Sequence, residues 1–484
     1  MIVEYEPVIG IETHVELVTD SKMFCGCPAH FGADPNTNVC PVCLGLPGAL
    51  PVPNEKAIEW IVAIGLALEC DIAYHSQFHR KNYFYADQPK NYQISQYDVP
   101  VCSGGALDIE TDGQSTRVRI NRVHMEEDTG KMIHVGGGGR IKDADHSLLD
   151  FNRAGVPLVE IVTEPDLATP QQARAFAQEL QAIVLALGVS DAKLEEGSMR
   201  FDANVSLRPK GTDELGTKVE VKNMNSFRSL ERALAYEIDR QTAALAAGEP
   251  IAQETRHWDE SAGITGGMRS KEESSDYRYF PEPDLVPIEI SYALRETIRE
   301  RLPELPAARR SRYGDLGLDP ASIAALASGG AGVTERFEDA VVAGSDPKTI
   351  ANWLTGEVAA FLRRESVELA DTPLSGEHLS QLERLYAAGD LSATAAKQVL
   401  GGVMAGEGSP AEVAAARDLI QISDIGALAA QIDRVLADHP EEHQRLKDGD
   451  AKVIGYLVGQ VMRITAGKAD PKVVSTILGE KAEG

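Results

Sequence analysis

The stretch Val8-Ile-Gly-Ile-Glu-Thr-His-Val-Glu-Leu17 alternates apolar with functional residues, and this alternation decides how the first part of the chain folds. Successive side chains of a β-strand point to opposite faces, so such a strand has one apolar face. That face would hold Ile9, Ile11, Thr13, Val15 and Leu17. The opposite face would present two carboxylates and an imidazole, from Glu12, Glu16 and His14. The stretch therefore predicts a strand with one buried face and one reactive face.

Three further stretches, at 158–164, 200–208 and 217–222, repeat this pattern. Their polar positions are Glu160, Glu164, Arg200, Asp202, Asn204, Ser206, Arg208, Lys218, Glu220 and Lys222. An antiparallel sheet with one solvated face would explain the alternation by itself. The choice of residues weighs against that simple explanation, because these strands carry His, Asp and Asn beside carboxylates. We expect the polar faces to meet in one functional site.

Carboxylates that converge repel each other unless a cation neutralises them. Oxygen ligands with one imidazole suit a Mg²⁺ ion that bridges to nucleotide phosphates. The segment His124-Met-Glu-Glu-Asp128 adds three consecutive acids, although an acidic run alone is more often a solvated turn. The glycine-rich segment 136–142 lacks the Gly-Lys-Ser/Thr of a phosphate-binding P-loop. If ATP is used, its metal must therefore lie on the polar sheet face.

Four of the six cysteines form two close pairs, Cys25-Gly-Cys27 and Cys40-Pro-Val-Cys43. Two such pairs can place four thiolates tetrahedrally at about 2.3 Å from Zn²⁺. Cysteines without a metal are the alternative, and paired disulfides fit a cytosolic chain less well. Four thiolates would close the coordination sphere, so the predicted zinc is structural. Because zinc ribbons also occur in nucleic-acid-binding modules, the cysteines alone leave the function open.

The length of 484 residues suits about three domains. Strand-like alternation with a few helices predicts an α+β fold for residues 1–293, with helices starting after Thr169 and Ser226. From residue 294 strand patterns disappear and short amphipathic helices follow. The segment Gly406-Glu-Gly-Ser-Pro410 resembles a linker. We therefore predict a helical domain at 294–405 and a small all-α domain at 406–484.

The formal net charge of −27 disfavours indiscriminate nucleic-acid binding, because phosphate backbones reward clustered cations. Any RNA contact must use a local basic patch, and the last 34 residues are one candidate, although an ordinary solvated helix end fits equally well. The N-terminal sequence has no basic flank or apolar core of a secretory signal. No apolar run reaches the roughly 18 residues that span a bilayer. A cytoplasmic location is expected.

Several motifs occur together in one order and resemble the B subunits of the bacterial aspartyl/glutamyl-tRNA(Asn/Gln) amidotransferases, the GatB family of GatCAB. Besides the stretch from Val8 to Leu17, they are Arg80-Lys-Asn-Tyr-Phe-Tyr85, Tyr92-Gln-Ile-Ser-Gln96, His124-Met-Glu-Glu-Asp128, Asp150-Phe-Asn-Arg-Ala-Gly-Val-Pro157, Glu195-Glu-Gly-Ser-Met-Arg-Phe-Asp-Ala-Asn204, Lys222-Asn-Met-Asn-Ser226 and Asp276-Tyr-Arg-Tyr-Phe-Pro-Glu-Pro-Asp284. The later helical segments also agree with the family, but their sequence motifs are less distinctive.

The resemblance implies a catalytic cradle domain, a helical linker domain and a tail domain that grips tRNA. It implies a carbon–nitrogen ligase with glutamine as the amide nitrogen donor. Such an enzyme uses ATP and Mg²⁺ to phosphorylate the side-chain carboxylate of Glu-tRNA(Gln), Asp-tRNA(Asn) or both. An amidase-type A subunit then delivers ammonia, and a small C subunit clamps the complex. The alternative is a non-catalytic, zinc-containing subunit that only binds tRNA.

Carried over by motif, the family's metal ligands fall on His14, Glu127 and Glu160. Glu12 and Asp202 would support this metal or hold a second one. Contacts to phosphate or carboxylate are expected from Lys81, Arg200 and Lys222. Strict alternation places Glu127 on the face of Val123 and Met125, so a bulge or a strand end must turn it toward the metal.

Overall fold

The computed structural model describes residues 4–136, 144–268, 277–328, 331–421, 425–450, 452–465 and 468–483. The chain divides into two units, Met1–Pro306 and Ala307–Gly484. Most of the glycine-rich segment 136–142 lies outside the described residues.

Strands and a few helices form the first unit. In chain order they are β1 (Tyr5–Glu16), α1 (Glu55–Ala67), β2 (Asp71–Ile72), β3 (His75–Ser76), β4 (His79–Asn82), β5 (Tyr92–Ser95), β6 (Cys102–Ser103), β7 (Ala106–Thr111), β8 (Gln114–Glu127), β9 (Lys131–Val135), β10 (His146–Asp150), β11 (Pro157–Thr163), α2 (Pro170–Ala186), β12 (Met199–Pro209), β13 (Val219–Met224), α3 (Phe227–Ala246), β14 (Thr255–Asp259), β15 (Ile264–Gly267), β16 (Phe280–Pro281), β17 (Ile288–Glu289) and α4 (Tyr292–Glu300).

A ten-stranded sheet organises this unit, in the order β15-β14-β13-β12-β1-β11-β8-β6-β2, with β7 paired to β8. Strand β1 lies centrally and pairs antiparallel with β11 on one side and β12 on the other. Strands β13 and β14 run parallel, whereas the other pairs are antiparallel. The predicted α+β class with an antiparallel sheet is confirmed.

The alternation in β1 determines which face of the sheet is buried. Ile9, Ile11 and Val15 are at most 1% exposed and belong to the core, against which α2 and α3 pack. Both helices begin where the sequence predicts. The side chain of Thr169 accepts a hydrogen bond from the Gln172 amide, and that of Ser226 accepts one from the Ser229 amide. Each cap satisfies an amide that the first helical turn leaves unpaired.

The opposite, polar face of the sheet contacts a smaller three-stranded sheet, in the order β16-β4-β5. Strand β5 supplies the contact, because Gln93 and Ser95 both donate hydrogen bonds to the Glu126 carboxylate on β8. The long loop between β1 and α1 contains the four paired cysteines. The polar face is thus partly covered.

From Pro306 onward the described residues are helical. The helices are α5 (Pro306–Asp315), α6 (Pro320–Ser328), α7 (Ala331–Val342), α8 (Pro347–Asn352), α9 (Ala359–Glu365), α10 (Gly376–Ala387), α11 (Ala393–Met404), α12 (Pro410–Ala416), α13 (Ile425–Asp438), α14 (Pro440–Lys447), α15 (Lys452–Ile464) and α16 (Pro471–Glu483). A π-helical segment, Trp353–Val358, joins α8 to α9. No described helix is long and apolar enough to cross a membrane.

Two separate hydrophobic cores hold these helices together. The first extends from Tyr313 to Ala414, and the second from Leu428 to Leu478. Val413 therefore packs with the first of them, beyond the linker predicted at 406–410. At the other predicted boundary, Ile298 of α4 packs in the core of the first unit. The boundaries at 293/294 and 405/406 stay predictions.

Candidate functional site: a metal and phosphate cavity

Strand register brings the predicted reactive residues together on the polar face. His14 of β1 lies opposite Glu160 on β11 and opposite Arg200 on β12. Two residues earlier, Glu12 lies opposite Asp202. Because alternate residues share a face, all five side chains project from the same side of the sheet. The arrangement predicted from alternation is present at these positions.

His14 and Glu160, together with Glu126 of the neighbouring strand β8, are close enough to hold one metal ion. Ligand atoms of His14, Glu126 and Glu160 all lie within 4.8 Å of one another, and we call these three residues the carboxylate cluster. The Nε2 atom of His14 is 3.5 Å from Oε2 of Glu160. Mg²⁺ binds its ligands at about 2.1 Å and so places opposite ligands about 4.2 Å apart. The cluster therefore fits a Mg²⁺ ion that takes its remaining ligands from water or phosphate.

The structure corrects the placement of Glu127, which it does not bring to the carboxylate cluster. Its carboxylate forms an ion pair with Lys90 and accepts a hydrogen bond from the Ile94 amide at 2.8 Å. Pairing of β8 with β11 continues regularly to Glu127, and the register shift lies at Val162 instead. No bulge therefore turns Glu127 to the polar face. Glu126 takes the place expected for Glu127.

Sequence reasoning also missed His124, which is 3% exposed on β8. Its Nε2 atom lies 3.4 Å from Oε2 of Glu160 and 3.5 Å from Oε1 of Glu126. It therefore sits between the two acids of the cluster. The same period-two rule that located Glu12 and His14 would have found His124 and Glu126.

Each of the three predicted cationic residues pairs with an acid at this site. Lys81 lies 3.7 Å from Glu126, Lys222 lies 2.6 Å from Asp202, and Arg200 donates to Asp128 at 2.8 Å. They surround a cavity of about 360 Å³. Its lining is His14, Lys81, Tyr83, Asp87, Gln93, Glu126, Asp128, Thr129, Leu158, Arg200, Asp202, Lys222 and Tyr277. Glu12 lies just outside and accepts a hydrogen bond from Asn204 at 2.9 Å.

Both acids of the carboxylate cluster stay ionised. Burial alone would raise the pKa of Glu126, but nearby Lys81 and His124 outweigh it and lower that pKa to about 2. Burial is likewise outweighed at Glu160, where His124 and His14 hold the pKa well below its usual range. The pKa of Lys81 is raised, since the charge of Glu126 overcomes the effect of burial. At neutral pH the site thus offers two carboxylates that could hold a metal ion, beside the Lys81 cation.

A second pair of acids is formed by Glu16 and by Asp128, which lines the cavity, and the sequence did not predict that they interact. Burial and the Asp128 charge raise the pKa of Glu16 to about 9. Burial would also raise the pKa of Asp128, but Arg200 and Arg153 overcome it and keep that pKa below its usual range. The opposite directions of the two pKa shifts favour a protonated Glu16 beside an ionised Asp128.

The four cysteines Cys25, Cys27, Cys40 and Cys43, here called the cysteine cluster, converge as predicted. They are free thiols whose Sγ atoms all lie within 4.8 Å of one another. The Sγ atoms of Cys40 and Cys43 are 3.9 Å apart. Zn–S bonds of about 2.3 Å give tetrahedral S–S edges of about 3.8 Å. The donor set therefore fits Zn²⁺.

Comparison with known proteins identifies the family. Residues 7–296 match the model of the GatB/GatE catalytic domain, and residues 335–481 match that of the GatB domain. The chain belongs to the GatB family. The catalytic-domain match of this GatB chain contains every residue of the carboxylate cluster, the cysteine cluster and the cavity.

Curated relatives are similar to this GatB chain over almost their whole length. It is 50% identical over 487 residues to the B subunit of the aspartyl/glutamyl-tRNA(Asn/Gln) amidotransferase of Acaryochloris marina, with 99% of this chain and 98% of the relative covered. The B chain of the same enzyme from Trichodesmium erythraeum is also 50% identical with the same coverage. That of Frankia casuarinae is 51% identical over 488 residues, covering 99% and 96%. The predicted family resemblance is confirmed.

Proposed function

We propose that this GatB chain is the B subunit of an ATP-dependent, tRNA-dependent amidotransferase. It phosphorylates the side-chain carboxylate of Glu-tRNA(Gln), Asp-tRNA(Asn) or both, and ammonia then converts the product to the amide. The enzyme is a carbon–nitrogen ligase with glutamine as the nitrogen donor. The carrying observation is a cavity lined by His14 and Glu126 of the carboxylate cluster together with Lys81, Arg200 and Lys222, with Glu160 3.5 Å from His14.

In this proposal seven residues at the site have defined tasks. His14, Glu126 and Glu160 hold Mg²⁺, which when bound offsets the negative charge of the nucleotide phosphates. Lys81, Arg200 and Lys222 contact phosphate or carboxylate oxygens and hold the two reactants in line. Asp202 fixes the Lys222 ammonium. Positioning and charge stabilisation supply most of the catalysis of phosphoryl transfer, and both are contributions that these residues can make.

The reaction needs this activation because a carboxylate has no good leaving group. A carboxylate oxygen forms a bond to the γ-phosphorus while the bond to ADP breaks. Ammonia then forms the C–N bond, phosphate leaves, and one proton of the ammonia nitrogen is released. The paired cations of the cavity would orient the carboxylate and the nucleotide phosphates for the first step.

Partners follow from the same proposal. An amidase-type A subunit releases ammonia from glutamine, and a small C subunit stabilises the assembly. The misacylated tRNA would be held by the tail domain at 406–484, joined through a linker domain at 294–405 to the cradle domain at 1–293. We place the complex in the cytoplasm with the aminoacyl-tRNAs that it modifies. The cysteine cluster holds a structural Zn²⁺ rather than a reacting metal, because four thiolates leave no open position.

The test uses the complex co-purified through this subunit. ATP-dependent amidation is measured with Glu-tRNA(Gln) and with Asp-tRNA(Asn), and ADP release is followed in parallel. Glu126→Ala and Glu160→Ala should abolish both signals while the fold and the complex persist. Glu110→Ala, at an exposed position of β7, is the matched control and should keep full activity.

The alternative, a subunit that only binds tRNA, predicts a different result. Both cluster variants would then release ADP at the wild-type rate, because another subunit would activate the carboxylate. Zinc is tested separately by elemental analysis, which should find one equivalent per chain and a loss of thermal stability on chelation.

A further inference from the structure

The side chain of Lys22 is buried without an acidic partner. Its residue is 1% exposed, in a loop between β1 and the first cysteine pair. The ammonium donates to the Phe151 carbonyl at 3.2 Å and to the Cys43 Sγ at 3.7 Å. Among the residues that the structure describes, no carboxylate oxygen lies within ion-pair distance of it. A buried ammonium is strongly unfavourable unless an anion compensates it.

The anion nearest to this ammonium is in the cysteine cluster. Four thiolates bring four negative charges to a Zn²⁺ ion, so the filled centre carries two excess negative charges. Cys43 is 6% exposed, and its Sγ atom also accepts the Cys40 amide at 3.1 Å. A hydrogen bond from an ammonium to a thiolate is charge-assisted and stronger than one from a neutral donor. The lysine and the cluster therefore each lack the charge that the other supplies.

We infer that Lys22 is the counter-charge of the zinc centre, and that it holds the Cys43 thiolate and the Phe151 carbonyl together. This inference rests on the zinc that we propose for the cysteine cluster. Groups that contact metal ligands in this way typically change metal affinity by about 10- to 100-fold. Lys22 is thus a positioning residue of the metal centre and does not touch the phosphoryl-transfer cavity.

The second contact of Lys22 connects the metal centre to the catalytic sheet. Phe151 lies in the segment between β10 and β11, the strand that carries Glu160. The loop between the cysteine pairs is hydrogen-bonded to the same segment between β10 and β11. The Asn36 side chain accepts a hydrogen bond from the Phe151 amide at 2.8 Å and donates one to the Leu149 carbonyl at 2.9 Å. Losing the counter-charge should therefore loosen the segment before β11 as well as the metal.

The experiment compares Lys22→Met and Lys22→Gln with wild type in the full-length complex. Lys22→Met removes the charge and the donors at similar length, whereas Lys22→Gln keeps a donor without the charge. Lys56→Met is the control, since that lysine is exposed on α1 and pairs with Glu59. Zinc transfer to a chelator is timed, Co²⁺-substituted protein gives the thiolate-to-metal absorption band, and amide hydrogen exchange is read at 149–155.

Both Lys22 variants should lose zinc about 10-fold faster than wild type or more, and Lys56→Met should not. Their Co²⁺ band should move to longer wavelength, since a thiolate without a neighbouring cation gives up charge more easily. Exchange at 149–155 should increase. If Lys22→Met does not fold, the zinc-transfer rate and the Co²⁺ band of Lys22→Gln decide the test.

Zinc loss within twofold of wild type with an unmoved Co²⁺ band would overturn the inference, and so would a Lys22→Gln variant that behaves as wild type. A wild-type chain without zinc would instead remove the metal centre itself. The zinc content of wild type, measured first, keeps these two failures apart.

Discussion

His14 and Glu160 face each other across neighbouring antiparallel strands, with Nε2 of the imidazole 3.5 Å from Oε2 of the carboxylate. The sheet register alone creates this contact between distant parts of the chain. Strand β8 continues the row on the far side of β11, where His124 lies opposite Glu160. The three residues proposed to hold the metal thus lie on three adjacent strands that backbone hydrogen bonds join, the kind of support that positions a site before a ligand binds.

The first prediction distinguishes Glu126 from Glu127. Glu126→Gln should raise the Mg²⁺ concentration needed for half-maximal ADP release and lower the rate by about 100-fold or more, since each lost 1.4 kcal/mol of charge stabilisation is roughly tenfold. Glu127→Gln should leave the Mg²⁺ requirement unchanged, because that carboxylate pairs with Lys90. The measurement is the rate of ADP release by each variant as a function of Mg²⁺ concentration.

Thermal unfolding serves as the control for this comparison. Glu127→Gln should be the less stable variant, because Lys90 is left buried without its acid. If instead Glu127→Gln raised the Mg²⁺ requirement and Glu126→Gln did not, the assignment carried over from the family motif would be right and the geometry wrong.

Alternation predicted which residues share the polar face, whereas the motif carry-over chose Glu127 where the register favours Glu126. Period-two alternation put Glu12, His14, Glu160 and Asp202 on one face of the sheet, as the register shows, because β-strand geometry is local. The carry-over of a motif chose between two adjacent acids without regard to that period. Alternation in β8, where Val123 and Met125 are buried, already assigned Glu126 to the polar face. The position of Glu16 beside Asp128 depends on tertiary packing and was not available from either argument.

The second prediction concerns pH and the Glu16–Asp128 pair. Glu16 has a folded pKa of about 9, raised above its ordinary value of 4.5. A carboxyl whose pKa is raised on folding contributes stability that is complete below the unfolded pKa and is lost as pH rises through the folded pKa. The free energy of unfolding should therefore fall between about pH 5 and pH 9 through this group.

Glu16→Gln is the test, since an amide keeps a donor toward Asp128 and cannot ionise. Denaturant unfolding of both proteins at pH 6, 7, 8 and 9 should show a steeper fall for wild type. The advantage of the variant should thus grow toward pH 9. Parallel stability curves would show that Glu16 does not hold a proton in the folded chain.

The third prediction compares two helical glycines. At Gly65 in α1, a Cβ atom would lie 2.8 Å from Cδ1 of Ile72 and still closer to the Sγ of Cys102. Gly65→Ala should destabilise the first unit by about 1–3 kcal/mol, the usual range for overpacking. At Gly455 in α15 no atom lies within 4 Å of such a Cβ. Gly455→Ala should stabilise its helix by about 0.5–1 kcal/mol.

Differential scanning calorimetry and denaturant titration of both variants give the comparison. The two substitutions are chemically identical, so opposite signs would report only the space around each glycine. A neutral or stabilising Gly65→Ala would mean that Cys102 can move away without cost.

Secondary structure was more predictable than the domain boundaries. The helices after Thr169 and Ser226 begin as predicted because the capping side chain is adjacent to the helix that it starts. The linker predicted at 406–410 has the right composition, yet Ser409 and Glu412 form a capping box that starts α12 directly. Composition indicates a turn at this position. It does not show which hydrophobic core the next helix joins, because that depends on long-range packing.

The last prediction uses this difference in two truncated chains, one ending at residue 405 and one at residue 421. Both lack the core that extends from Leu428 to Leu478, so both should lose the same tRNA affinity if the tail grips tRNA. Only the longer chain keeps α12, whose Val413 and Ala414 are fully buried in the preceding core.

Further contacts favour the longer chain. Arg417 donates to the Gln398 carbonyl at 3.1 Å, and the Gln421 amide donates to the Asp390 carbonyl at 2.7 Å. Burial of one valine side chain is worth about 1.5–3 kcal/mol. The chain ending at 405 should therefore melt roughly 5 °C or more below the chain ending at 421, because 1 kcal/mol shifts the midpoint of a unit of roughly 100 residues by about 4–8 °C. Equal melting temperatures would show that α12 contributes nothing to that core and would favour the predicted boundary at 405/406.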